Sequence, residues 1–185
     1  MQIVIVGAQC VGKTTLINDL AERYPTDIIK ELIRDAVKLN PDLKVNENGT
    51  DESQKFLFDM YVDVLSDRVS YISDRSMFDV TAYTKVMYEY GNVSEETLEL
   101  LYNRLVDFLN EHPNIQHYHI PPMFPIVGDG FRSVSKEFQT HTEKAITWLD
   151  ERLRNDERVK YYNMFTTQTA DHQKRMEELN YFINN

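Results

Sequence analysis

Eight consecutive residues, Gly7-Ala8-Gln9-Cys10-Val11-Gly12-Lys13-Thr14, leave few folds open to this chain. They match G-x-x-x-x-G-K-[ST] without a mismatch. They follow a short apolar run, Gln2–Val6, rich in β-branched residues and bounded by Gly7, which reads as a strand buried on both faces of a parallel sheet. Behind them, residues 14–23 keep Leu16, Ile17 and Leu20 on one face of a helix. Between such a strand and such a helix, the glycines let successive backbone N–H groups turn into one concavity, and the helix N-terminus adds its positive dipole. Gly7, Ala8, Gln9, Cys10, Val11, Gly12, Lys13, Thr14 and Thr15 are therefore expected to cradle the phosphates of ATP. Lys13 would reach the β- and γ-phosphates, and the Thr14 hydroxyl would ligate Mg²⁺.

Four later segments can pair with the first strand: residues 26–30, 69–73, 115–120 and 158–163. Helical patterns lie between them. Asp51-x-x-Gln54 offers a capping box for a helix carrying Phe56, Leu57, Met60, Val64 and Leu65, and Ser94 can cap a third helix. Further helices are expected at about 78–90, 136–154 and 171–182. Alternating strands and helices predict an α/β fold, a five-stranded parallel sheet with helices on both faces, and ligands outside the carboxyl ends of the strands. With 185 residues the chain is expected to form one domain, carrying a small lid at about 121–136.

The net charge of −10 supplies no overall positive field, so nucleic acid and anionic membrane are disfavoured as partners and any phosphate must be held by a local site. No apolar run approaches the ~20 residues that span a bilayer, and no basic leader or cleavage site is expected at the N-terminus. Cys10 is the single cysteine, so an intrachain disulfide is excluded and a reducing, cytoplasmic compartment is expected. The histidines are too scattered to make a ligand set. The oligomeric state stays open, a homodimer included.

A GTPase would need D-x-x-G after a strand and N-K-x-D for guanine, and neither occurs. A hexameric motor would need a strand ending in Asp-Glu and a helical lid domain, whereas the Asp-Glu pairs at Asp51, Asp150 and Asp156 fall at a helix start or within and after a helix. Phosphoryl transfer to a small acceptor remains, and the other strand ends are furnished for it. Glu31 and Arg34 follow the second strand, giving a carboxylate to orient a hydroxyl and a guanidinium to hold an anion, although E-x-x-R is also an ordinary helical ion pair. Asp74 and Arg75 follow the third: Asp74 would hold Mg²⁺ through water and Arg75 the acceptor or the moving phosphoryl group, unless Asp74 merely caps a helix. Arg132, on the glycine-flanked loop Gly128-Asp129-Gly130-Phe131-Arg132, reads as the cation of a closing lid or as part of a surface turn.

Taken together, the phosphate loop, Glu31-x-x-Arg34-Asp35, Asp74-Arg75-Ser76, and Pro125-x-Val127-x-Asp129-Gly130-x-Arg132-Ser133 followed by Glu137-Phe138-Gln139 resemble a small AAA-type ATPase/kinase family. That family includes the nicotinamide riboside kinase module of the NAD-salvage regulator. Asp74-Arg75-Ser76 is also similar to the D/E-R-S of deoxynucleoside kinases and the D-R-[YWH] of thymidylate kinases. The resemblance covers about three quarters of the chain. It implies that Glu31 serves the acceptor hydroxyl, Arg75 a phosphate or the acceptor, and Arg132 the lid. The expected activity is ATP- and Mg²⁺-dependent phosphorylation of a nucleoside, nucleoside monophosphate or related small acceptor. The alternatives are a regulatory ATPase without an acceptor and a kinase of a hydroxyl on nucleic acid.

Overall fold

The structure, a computed structural model, describes residues 1–24, 26–126 and 135–184. Strand β1 (Gln2–Val6) leads through the phosphate loop into α1 (Lys13–Arg23), then β2 (Asp27–Ile29), α2 (Leu32–Leu39), α3 (Asp51–Leu65), β3 (Tyr71–Asp74), α4 (Met77–Glu89) and α5 (Glu95–Glu111). There follow β4 (Ile115–His119), α6 (Lys136–Asn155), β5 (Met164–Thr166) and α7 (His172–Asn184). The five strands are all parallel and lie in the order β2-β3-β1-β4-β5.

The alternation within β1 shows how the layers form. Ile3 and Ile5 face one side, where they pack with Leu16, Ile17 and Leu20 of α1 and Met176 and Leu179 of α7. Val4 and Val6 face the other, within the larger core built by α3 to α6. β1 is thus buried on both faces, as a central strand of a parallel sheet must be. Because β1 lies between β3 and β4, its carboxyl end sits beside Asp74 and Ile120, and every strand end opens toward the phosphate loop.

Two local expectations are corrected. The fifth strand is not 158–163 but Met164–Thr166, paired with residues 117–119 of β4. Asp156 explains the delay, because its carboxylate takes the Arg158 guanidinium and backbone N–H and its carbonyl takes the Val159 N–H, fixing a turn where extended chain was expected. The capping box of α3 begins one residue earlier than Asp51. Thr50 is the N-cap, exchanging bonds with Ser53, while the Asp51 carboxylate instead takes the Ser94 N–H and ties the starts of α3 and α5 together. Ser94 caps α5 as expected.

Candidate active site

Glycine is required at both ends of the phosphate loop. A Cβ at Gly7 (φ 155°) would lie 2.6 Å from the Ile120 carbonyl oxygen, and Gly12 (φ 92°) caps α1 in the left-handed region. Between them Cys10, although not glycine, also has positive φ (61°), so the loop curls tightly. Lys13 is buried and its Nζ donates to the Gly7 carbonyl at 2.9 Å and the Ala8 carbonyl at 2.7 Å. Burial, with Arg75 nearby, lowers its pKa to about 8, against the opposing pull of Asp74, Asp79 and Glu31.

The Thr14 hydroxyl donates to Asp74 Oδ2 at 3.0 Å. The other carboxylate oxygen, Oδ1, is buried with no hydrogen-bond partner among the described residues. A hydroxyl and a half-satisfied buried carboxylate at the loop are the donor set that a hard cation takes beside phosphates, so these residues fit Mg²⁺. Asp74 ends β3 and does not cap α4. The N-cap is Ser76, in a capping box whose fourth member is Asp79.

Arg75 is the hinge of the site. Its N–H still follows the sheet, donating to the Ile5 carbonyl at 3.2 Å, but its backbone turns left-handed (φ 75°), which costs a non-glycine residue roughly 1–2 kcal/mol. The buried guanidinium then returns over the strand ends. Nε donates to Glu31 Oε1 at 2.8 Å, and Nη1 to the Gly7 carbonyl at 3.1 Å and to Asp79 Oδ1 at 3.4 Å. Its carbon centre lies 5.1 Å from the Tyr83 ring centroid. Burial opposes the charge of Arg75, yet Tyr83, Glu31, Asp79 and Asp74 outweigh it and hold the pKa well above the ordinary guanidinium range. Glu31, just past β2, receives Arg34 Nε on its second oxygen at 3.2 Å. The sequence-predicted Lys13, Thr14, Glu31, Arg34, Asp74 and Arg75 are therefore one connected constellation. Arg132 and residues 127–134 of the expected lid lie outside the described residues.

Three further residues, Asp79, Gln54 and Arg175, border the constellation in places the sequence reading missed. Asp79 receives the Gly7 N–H at 3.3 Å and the Ser76 N–H at 3.2 Å as well as Arg75, so one buried carboxylate joins phosphate loop, arginine and helix cap. Burial raises its pKa, against the opposing effect of Arg75 and Lys13. Its signal was present: Ser76-x-x-Asp79 before an apolar helix is a capping-box pattern. Gln54 lines the same cavity as Glu31 and Arg75, and its Oε1 accepts from the Thr84 hydroxyl at 3.1 Å. On the opposite side Arg175 of α7 donates to the Val11 carbonyl at 3.2 Å and lies over the Phe124 ring, clamping the loop to the 121–126 segment. His117 packs against Phe78 and Tyr162 in the core, where burial lowers its pKa to about 4, and His119 contacts Glu143 and Thr166.

One cavity is lined by the charged Glu31, Arg75 and Asp79, by Gln9, Gln54 and Tyr83, and by apolar side chains that include Val45, Leu57 and Val80.

A family model described as an AAA domain matches residues 2–178. The chain belongs to this family. No curated protein matches it. Among solved structures it is similar to deoxyadenosine kinase from M. mycoides (17% identity, TM-score 0.69, covering 100% of this chain and 98% of that one). It is also similar to NadR protein in complex with NR (16% identity, TM-score 0.68, covering 99% of this chain and 51% of that one). The chain thus spans about half the length of NadR. A third relative is the YorR protein from Bacillus subtilis, at 14% identity and a TM-score of 0.58. These agree with the family resemblance seen in the motifs and show a shared fold. Among the described residues no helix is long and apolar enough to cross a membrane.

Proposed function

We propose that the protein is a kinase that uses ATP and Mg²⁺ to phosphorylate a nucleoside, nucleoside monophosphate or related small acceptor. The observation that carries this reading is the constellation itself: the phosphate-loop lysine and threonine stand beside a buried Glu31–Arg75 pair that lines a partly apolar cavity. A regulatory ATPase needs the first half of that arrangement but not the second.

Thr14 and Asp74 would hold Mg²⁺, which when bound neutralises charge on the phosphates. Lys13 would exchange the carbonyls of Gly7 and Ala8 for the β- and γ-phosphates, and Arg75 adds a second cation across the loop. Glu31 would orient the acceptor hydroxyl and take its proton, while Arg75 and Arg34 hold that carboxylate in place. Arg132 is assigned, from the sequence, to the lid cation that completes the charge stabilisation.

The test is incubation with Mg-ATP and a panel of nucleosides, monophosphates and nicotinamide riboside, reading ADP and product masses. Acceptor-dependent ADP with a product heavier by one phosphoryl group supports the kinase, provided Lys13→Ala abolishes it. ADP released at the same rate with and without every acceptor would assign the chain to the regulatory ATPases instead.

A further inference from the structure

The acceptor can be narrowed on the strength of the kinase reading above. The cavity is lined by two carboxylates, Glu31 and Asp79, and among its described lining residues by one cation, Arg75. That cation is already committed, to Glu31 through Nε and to Asp79 and the Gly7 carbonyl through Nη1. Arg34 is likewise engaged, on the second oxygen of Glu31. A phosphomonoester carries about −1.5 to −2 charge at pH 7 and would meet two buried carboxylates whose counter-charges are spoken for.

Chemistry points the same way. A phosphate oxygen is already anionic near neutral pH and needs no group to take a proton, whereas a hydroxyl does. A buried carboxylate at the reacting end therefore helps a hydroxyl acceptor and repels a phosphate.

Gln9 supplies an independent observation. It lines the cavity, it is 3% exposed, and its Nε2 has no hydrogen-bond partner among the described residues. Its orientation is fixed from elsewhere: Oε1 accepts from the Tyr83 hydroxyl at 3.2 Å, and the backbone carbonyl accepts from Gln139 Nε2 at 2.7 Å. A buried amide N–H group held in place without an acceptor is a standing cost unless a ligand supplies the oxygen.

We infer that the acceptor is an unphosphorylated, polyhydroxylated compound of nucleoside type, and that Gln9 Nε2 donates to one of its oxygens. In the transfer the acceptor oxygen bonds to the γ-phosphorus and the bond from that phosphorus to the β-bridging oxygen breaks. ADP leaves, and the hydroxyl proton passes to Glu31 and then to water.

The experiment uses matched pairs, each nucleoside beside its own 5′-monophosphate, with the wild-type protein and Mg-ATP. The nucleoside is expected to show a kcat/KM at least about tenfold above that of its partner, because an unpaired dianion is excluded. Gln9→Met, which keeps side-chain length and removes the amide, is expected to raise the acceptor KM about five- to tenfold while the ATP KM moves less than about twofold. A global disturbance of the phosphate loop would move both. A monophosphate used as well as or better than its nucleoside overturns the charge argument, which the wild-type protein alone can decide. An unchanged acceptor KM in a folded Gln9→Met protein overturns the role of Gln9. ADP release with no phosphorylated product from either member overturns the kinase reading and this inference together, and is distinguished from the first outcome because no acceptor is consumed.

Discussion

Replacing Lys13 with Met should stabilise the protein while destroying its chemistry. The lysine is 2% exposed and its pKa falls from 10.5 to about 8, chiefly through burial. At 1.36 kcal/mol per pH unit, the buried ammonium costs about 3 kcal/mol relative to the unfolded chain. Methionine removes that cost, but it also removes the donor to the Gly7 carbonyl at 2.9 Å and the Ala8 carbonyl at 2.7 Å, a loss of about 2 kcal/mol. The net expectation at pH 7 is a gain of about 1 kcal/mol, or roughly 2–4 °C in Tm for a chain of this size. The sign with pH follows from linkage. Between about pH 8 and 10.5 the unfolded lysine keeps a proton that the folded one has lost, so wild-type stability rises over that window. By pH 9.5 the wild type has regained about 2 kcal/mol, so the advantage of the variant should have disappeared. Urea titrations of both proteins at pH 7 and pH 9.5 measure this directly, with the m-values compared to confirm the same transition. If Lys13→Met is no more stable at pH 7, or if its advantage does not narrow by pH 9.5, the burial of the Lys13 ammonium does not cost the fold what its lowered pKa implies.

The same proton links to ligand. ATP affinity should be flat below about pH 8 and weaken by up to about tenfold per pH unit above it, because the lysine must then be reprotonated to meet the phosphates; titration calorimetry across pH 7–9.5 reads the break. Glu31→Gln should retain ATP binding and lower turnover about 10²-fold or more, since the amide keeps shape but takes no proton; an equal fall in ATP affinity would move Glu31 to the nucleotide pocket. Asp79→Ala should cost roughly 2–4 kcal/mol in urea unfolding, because it removes half of a capping box and leaves the Gly7 N–H and part of the Arg75 charge uncompensated.

How far the sequence could be read depended on whether a signal was local. The phosphate loop is contiguous, so spacing alone placed Lys13 and Thr14. Glu31, Asp74 and Arg75 were found because each lies just past a short β-rich run, and parallel strands bring such positions to one edge. Residues 158–163 failed by the same logic: Val159, Tyr161 and Tyr162 have strand-forming side chains, but the Asp156 turn, a matter of side-chain pairing, keeps them out of the ladder. The local pattern around Gln54 pointed to a helix cap, and nothing local pointed to its contact with Thr84, which joins two helices 30 residues apart in the chain.

Arg75 shows why the most instructive residue is one that propensity argues against. The positive φ that follows Asp74 is the conformation glycine takes at least cost, and an arginine there is strained. Yet glycine would remove the guanidinium that joins Glu31 from β2's end, Gly7 from β1's end and Asp79 from α4. An arginine on a regular extended backbone would be no substitute, because side chains in a strand stand roughly perpendicular to the sheet rather than folding back across its carboxyl edge. The left-handed turn supplies that change of direction, and the Ser73 hydroxyl on the Arg75 carbonyl at 2.7 Å pins it. The strain is therefore the local cost of placing one cation where two strand ends and the first turn of α4 converge, and the buried ion pairs that result offset it.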